Sequence, residues 1–149
     1  MKSPEANSSS KGLFHVAAKV LLRDGDRVLL LHDIFGDWDL PGGRILPSEF
    51  GGDIQDVIKR KMSEELGTDV IYKIAGIDTY FQVVRTERDS GNESRIFAIG
   101  FSACYLGGNV KLGTHHDEYR WVDLHSLTPT DYFEHGWEAG VERYIESQV

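Results

Sequence analysis

Residues 38–67 read WDLPGGRILPSEFGGDIQDVIKRKMSEELG. The first part of this stretch holds Pro41, Gly42, Gly43 and Pro47. Proline and glycine at that density interrupt helices and strands alike. Phe35 to Ser48 therefore reads as an ordered loop, with a short extended piece around Trp38 to Leu40. The second part reads as a helix over Asp53 to Leu66. Asp53 is its N-cap, a carboxylate able to accept from the free N–H groups of the first turn. Gly67 is its stop, and Ile54, Val57, Ile58, Met62 and Leu66 recur as one apolar stripe.

Two charges share that stripe. On the helical wheel Lys61 falls within about 20° of Ile54, and Glu65 within about 20° of Ile58. Charge near a core is costly unless it is paired or bound to a metal. The plain reading is an i,i+4 pair of Lys61 with Glu65 at the stripe's edge, and Glu64 in solvent. The surroundings favour chemistry instead. Gly42 and Gly43 lie upstream, then Glu49, then Arg60 on the same helix as Glu64 and Glu65. Glycines let a backbone approach a phosphate or a metal closely. Hard oxygen donors suit Mg²⁺ or Mn²⁺. An arginine facing a loop carboxylate can pin that loop through a bidentate pair.

Outside this stretch the chain alternates simply. Leu13 to Leu22 and Arg27 to His32 are apolar runs on either side of Asp24-Gly25, a hairpin signal. Val70 to Val84 and Arg95 to Leu106 read as two long strands, joined by a polar loop over Thr86 to Glu93. Tyr119 to Leu124 is a further strand. Asp131 to Ser147 reads as a closing helix with Trp137, Val141, Tyr144 and Ile145 on one face. The order is β-β-loop-α-β-β-β-α, for which the simplest packing is a mixed sheet with one helix on each face.

Composition narrows the function. The 149 residues are 40% hydrophobic and 27% charged, enough for one compact domain. The net charge is −8, and no Lys/Arg cluster offers a face to a nucleic-acid polymer. A small phosphorylated ligand remains compatible if a divalent cation stands between it and the acidic chain. No apolar run approaches a membrane span. Cys104 is the single cysteine and lies in the apolar run Phe97 to Leu106, so no internal disulfide forms and a buried, inert thiol is expected. Residues 1–11 are polar and Ser-rich, read as a flexible leader without a targeting signal. The expectation is a cytoplasmic protein whose domain spans residues 12–149. The long strands suit a homodimer interface or the domain core equally.

The stretch from Trp38 to Gly67 resembles the box of the Nudix hydrolases. That pattern is a glycine, five residues, Glu, seven residues, then Arg-Glu-apolar-any-Glu-Glu-any-Gly. Here Gly43 and Glu49 open the box, and Arg60, Glu64, Glu65 and Gly67 close it. Two departures stand out. Ten residues separate Glu49 from Arg60, the extra three falling in Phe50-Gly51-Gly52, and Lys61 replaces the Glu of Arg-Glu.

The resemblance implies an α/β/α sandwich around a mixed sheet. It also implies metal-dependent hydrolysis of a phosphoanhydride bond in a nucleotide-like substrate. It assigns Glu64, Glu65 and the Gly42 carbonyl as ligands of Mg²⁺ or Mn²⁺, and Arg60 with Glu49 as the loop brace. Lys61 becomes a contact to substrate phosphate. A further base or ligand from a later loop falls on His115-His116-Asp117-Glu118, where Glu118 is the choice. Lys61 also motivates the alternative, a catalytically degenerate domain that binds a nucleotide or a protein partner. The adjacent histidines do not form a zinc pattern. Phe35, Trp38, Tyr80 and Phe81 lie near the expected pocket, where a base could stack, but read first as core.

Overall fold

The computed structural model describes residues 10–148. Its elements run β1 (His15–Asp24), β2 (Arg27–Asp33), β3 (Trp38–Asp39), β4 (Gly42–Arg44), α1 (Ile54–Leu66), β5 (Ile71–Thr86), β6 (Glu93–Gly107), β7 (His116–Asp123) and α2 (Trp137–Ser147). Short 3₁₀ turns stand at Pro47–Glu49 and Pro129–Asp131. The leader expected over residues 1–11 lies outside the described residues, apart from Ser10 and Lys11, which are exposed.

The strands build one mixed sheet in the order β3-β2-β1-β6-β5, with β4 added to β1 and β7 to β2. The opening hairpin closes through Asp24 opposite Arg27, with Gly25 at φ 61°. β1 is parallel to β6. A parallel neighbour needs a crossover, and the chain between the two strands supplies one that contains α1.

Alternation along β1 sorts the core. Ala17 and Leu21 join Val28, Leu30, Phe81 and Val83 on the face packed by Val141 and Tyr144 of α2. Ala18, Val20 and Leu22 join Leu29 and Leu31 on the face packed by Val57, Ile58, Met62 and Leu66 of α1. The expected sandwich, a mixed sheet between two helices, is what forms. At α1 the Asp53 carboxylate accepts from the Gln55 N–H at 2.9 Å, and Gly67 ends the helix at φ 84°. The cap is worth about 1 kcal/mol, whereas each fully buried Leu or Ile is worth about 2 kcal/mol. The apolar stripe therefore sets the helix on the sheet, and the cap sets where it starts.

Two expectations need correction. The closing helix begins at Trp137, not Asp131. His135 and Gly136 take φ values of 64° and 112°, in the left-handed region through which a right-handed helix cannot run. Cys104 is exposed rather than buried. Alternation along β6 puts Ala103 in the α1-side core and turns Cys104 to the other face, where its ladder partners are the polar Arg23 and Lys73. Among the described residues no helix is long and apolar enough to cross a membrane.

Candidate functional site

β4 carries the glycine loop onto the sheet, pairing Gly42 with Lys19, Gly43 with Ala18 and Arg44 with Ala17. Gly42 has φ 127°, and a Cβ there would stand 2.1 Å from the Ala18 carbonyl oxygen. Only glycine allows that approach. The Lys61 stem lies against Gly43, where a Cβ would meet its Cε at 2.6 Å.

Glu49 and Arg60 hold the other end of the loop. Arg60 Nε and Nη2 donate to the two Glu49 oxygens, each at 2.9 Å, and Nη2 also donates to the Arg44 carbonyl at 3.2 Å. The Leu46 N–H completes the set at 2.9 Å. The Arg60 guanidinium, then the Leu46 N–H, hold the Glu49 carboxyl below its ordinary range.

The two helical carboxylates differ. Glu64 is half-exposed and takes Arg60 Nη1 at 3.3 Å and Lys61 Nζ at 3.2 Å. Partial burial pushes its carboxyl up, but Lys61 and Arg60 outweigh that and leave it below the ordinary range. Lys61 thus pairs with Glu64, not with Glu65. Glu65 is 7% exposed. Its Oε1 accepts from the Gly42 N–H at 2.7 Å. Among the described residues no hydrogen bond reaches its Oε2, which lies 3.7 Å from His116 Nε2. Burial pushes the Glu65 carboxyl up to about 6, with nearby Lys19 pulling the other way.

Lys19 is the other charge in this interior, 5% exposed on β1. Its Nζ donates to both Asp39 oxygens at 3.0 and 3.2 Å and to the carbonyls of Leu40 at 3.1 Å and Gly42 at 3.4 Å. His116 is 8% exposed, its Nδ1 has no hydrogen-bond partner among the described residues, and burial holds the imidazole below its ordinary range. Lys19, Asp39, Gly42, Gly43, Lys61, Glu65 and His116 line one cleft of about 950 Å³ that continues past Phe35 and Arg88. That volume suits a nucleotide-sized ligand.

Glu118 is not brought to this cleft. It is exposed and accepts from Arg120 Nη2 at 3.0 Å. The reason is an irregularity between β2 and β7, where His32 faces Glu118 but Asp33 faces His116. A bulge of this kind re-aims side chains that simple alternation would assign otherwise. The residues missed from sequence are Lys19, Asp39 and His116. Lys19 carried a readable signal, a lone lysine inside the apolar run of the first strand. His116 carried none, because its burial depends on the bulge.

The NUDIX domain family model matches residues 13–140. The chain belongs to the Nudix family. A comparison with curated proteins finds no match. Among solved structures, the MutT protein from Methanosarcina mazei Go1 is 26% identical at a TM-score of 0.70, over 94% of this chain and 99% of that one. An ADP-ribose pyrophosphatase from Streptococcus suis 89-1591 is 15% identical at a TM-score of 0.64, covering 90% of this chain and 91% of that one. An Ap4A hydrolase from C. elegans is 19% identical at 0.61, covering 87% and 94%. The last two show likeness of fold alone.

This Nudix box offers a divalent cation a reduced set of donors. Among the described residues no hydrogen bond reaches Glu65 Oε2, and the Gly42 carbonyl takes a long contact from Lys19 Nζ at 3.4 Å. Glu64 is engaged by two cations, and Lys61 stands where the box pattern has a third carboxylate. Among the described residues no three His, Cys, Asp or Glu side chains converge as a metal cage. Mg²⁺ does not need one, since it binds through one or two carboxylates and keeps water or substrate oxygens in its remaining positions. The donors fit one such ion at Glu65.

Proposed function

We propose that this Nudix domain, residues 12–149, is a cytoplasmic Mg²⁺-dependent hydrolase that cleaves a phosphoanhydride bond in a nucleoside diphosphate linked to another group. The observation that carries the reading is the buried Glu65 carboxylate, tied by one oxygen to the glycine loop and open at the other toward the cleft. A desolvated carboxylate without a cationic hydrogen-bond partner is costly as structure. A divalent ion removes that cost. When bound, the ion supplies charge neutralisation and an acidified water.

Glu65 and Gly42 would hold the ion. Lys61, reaching over Gly43, offers a fixed positive charge to a substrate phosphate, where charge stabilisation is worth most in a water-poor cleft. Arg60 and Glu49 keep the glycine loop in place, so the Gly42 N–H and carbonyl stay aimed. Glu65 Oε2 and His116 Nε2 lie 3.7 Å apart, the carboxyl raised and the imidazole lowered. With Glu65 Oε2 given to the ion, His116 Nε2 is the atom of the pair left to hold a proton taken from attacking water.

The test is turnover of nucleoside triphosphates, nucleotide sugars, ADP-ribose and dinucleoside polyphosphates, with and without Mg²⁺. Metal-dependent release of phosphate products is the expected result. Its absence from the whole panel overturns the reading. The second reading, a degenerate Nudix domain that binds a nucleotide or a protein partner, is favoured by Lys61 and by its hold on Glu64. If Lys61→Glu creates an activity that the parent lacks, that second reading stands.

A further inference from the structure

A large aromatic side chain stands exposed on the rim of the cleft. Phe35 is 61% exposed and lines the cleft wall. Its backbone is tightly held. The Asp33 carboxylate accepts from the N–H groups of Phe35 at 2.8 Å and Asp37 at 3.0 Å, and the Asp33 N–H donates to the Asp37 carbonyl at 2.8 Å. Arg88, from the loop between β5 and β6, crosses to this turn. Its guanidinium lies 4.1 Å from the Phe35 ring centroid and pairs with the Asp37 carboxylate at 2.8 Å. One side of the ring is thus backed by a cation that is itself anchored, while most of the ring's surface stays open.

An exposed aromatic on a fixed turn gains nothing from burial, yet it loses little entropy when a flat ligand stacks on it. Asp39, the partner of Lys19, lies four positions after Phe35, a reach of at most about 14 Å. A nucleoside diphosphate can span from that rim to the phosphate end of the cleft. We propose that Phe35, backed by Arg88, is the platform on which the nucleobase of the substrate stacks, and so a specificity-determining residue. This inference rests on the nucleotide reading above. Stacking on an aromatic ring accepts any base through its π-face, so the platform selects for the presence of a base and the exocyclic contacts around it select which one.

Calorimetric binding of ADP, GDP, UDP, CDP and inorganic pyrophosphate in Mg²⁺ separates the two ideas, using the full chain, Phe35→Leu and Phe35→Tyr. Phe35→Leu is expected to weaken the preferred nucleoside diphosphate about tenfold to a hundredfold and to leave pyrophosphate within about twofold. Phe35→Tyr is expected to keep the parent affinity. Equal loss for both ligands, or no loss for either, overturns the platform. Binding of pyrophosphate with no gain from any base overturns it while leaving the phosphoanhydride site intact. Failure of pyrophosphate and every nucleotide to bind overturns both.

Discussion

The two ends of the glycine loop are built on different principles. At Glu49–Arg60 every charge is answered: two parallel bonds at 2.9 Å, a third to a carbonyl and a backbone N–H on the carboxylate. At Glu65 the side chain is more deeply buried, yet among the described residues one oxygen has no hydrogen bond, and the neighbouring His116, whose Nε2 lies 3.7 Å away, has its Nδ1 unpartnered. Natural interiors rarely leave such groups unmet. Perturbed, partly satisfied groups in a cleft mark chemistry, and satisfied ones at its edge mark shape. On the proposed function, the first end holds the loop and the second acts on a ligand.

The largest effect should come from the unsatisfied end. Glu65→Gln keeps an acceptor for the Gly42 N–H but removes the charge, so it should lower kcat about a thousandfold while the fold is retained, checked by circular dichroism. A mere structural role for Glu65 would leave kcat near the parent value.

Breaking the brace should cost less. Arg60→Ala or Glu49→Ala frees the loop rather than removing a reacting group, and kcat/KM should fall about a hundredfold through misplacement alone. The double variant should be no worse than either single, since both remove one interaction. Additive losses would mean that the two residues act separately.

Lys61→Ala should have a smaller and different signature. If its ammonium meets substrate phosphate in ground and transition state alike, KM rises about tenfold with kcat held. A fall in kcat with KM unchanged would move Lys61 into the reaction itself.

The fold was largely legible because it rests on local patterns. The Asp24-Gly25 turn, the capped stripe from Asp53 to Gly67 and the long apolar strands each announce themselves within a few residues. The start of the closing helix is not legible, because nothing local distinguishes His135 with positive φ from a helical histidine. The exposure of Cys104 is not legible, because an apolar run does not reveal which side of a strand lacks cover. In the site, the resemblance to the box points to Glu49, Arg60, Glu64 and Glu65, of which Glu49 and Arg60 pair, Glu65 meets the glycine loop, and Glu64 is engaged by Arg60 and Lys61. Lys19 and Asp39 come from separate strands and meet only through the β1–β4 pairing that sets the loop beside them. His116 depends on a bulge, a property of two strands together and so of neither sequence alone.

The central claim is that the Glu65 carboxylate is buried in want of a cation, and thermal unfolding tests it most directly. A carboxyl pushed up to about 6 by burial contributes stability that is complete below the ordinary glutamate range and is lost as pH rises through about 6. Without metal, the parent should therefore match Glu65→Gln in acid and fall below it above about pH 7, by about 2 kcal/mol. Adding Mg²⁺ at the higher pH should raise the Tm of the parent and leave that of Glu65→Gln where it was. Equal Mg²⁺ shifts in both proteins, or none in either, would contradict the account.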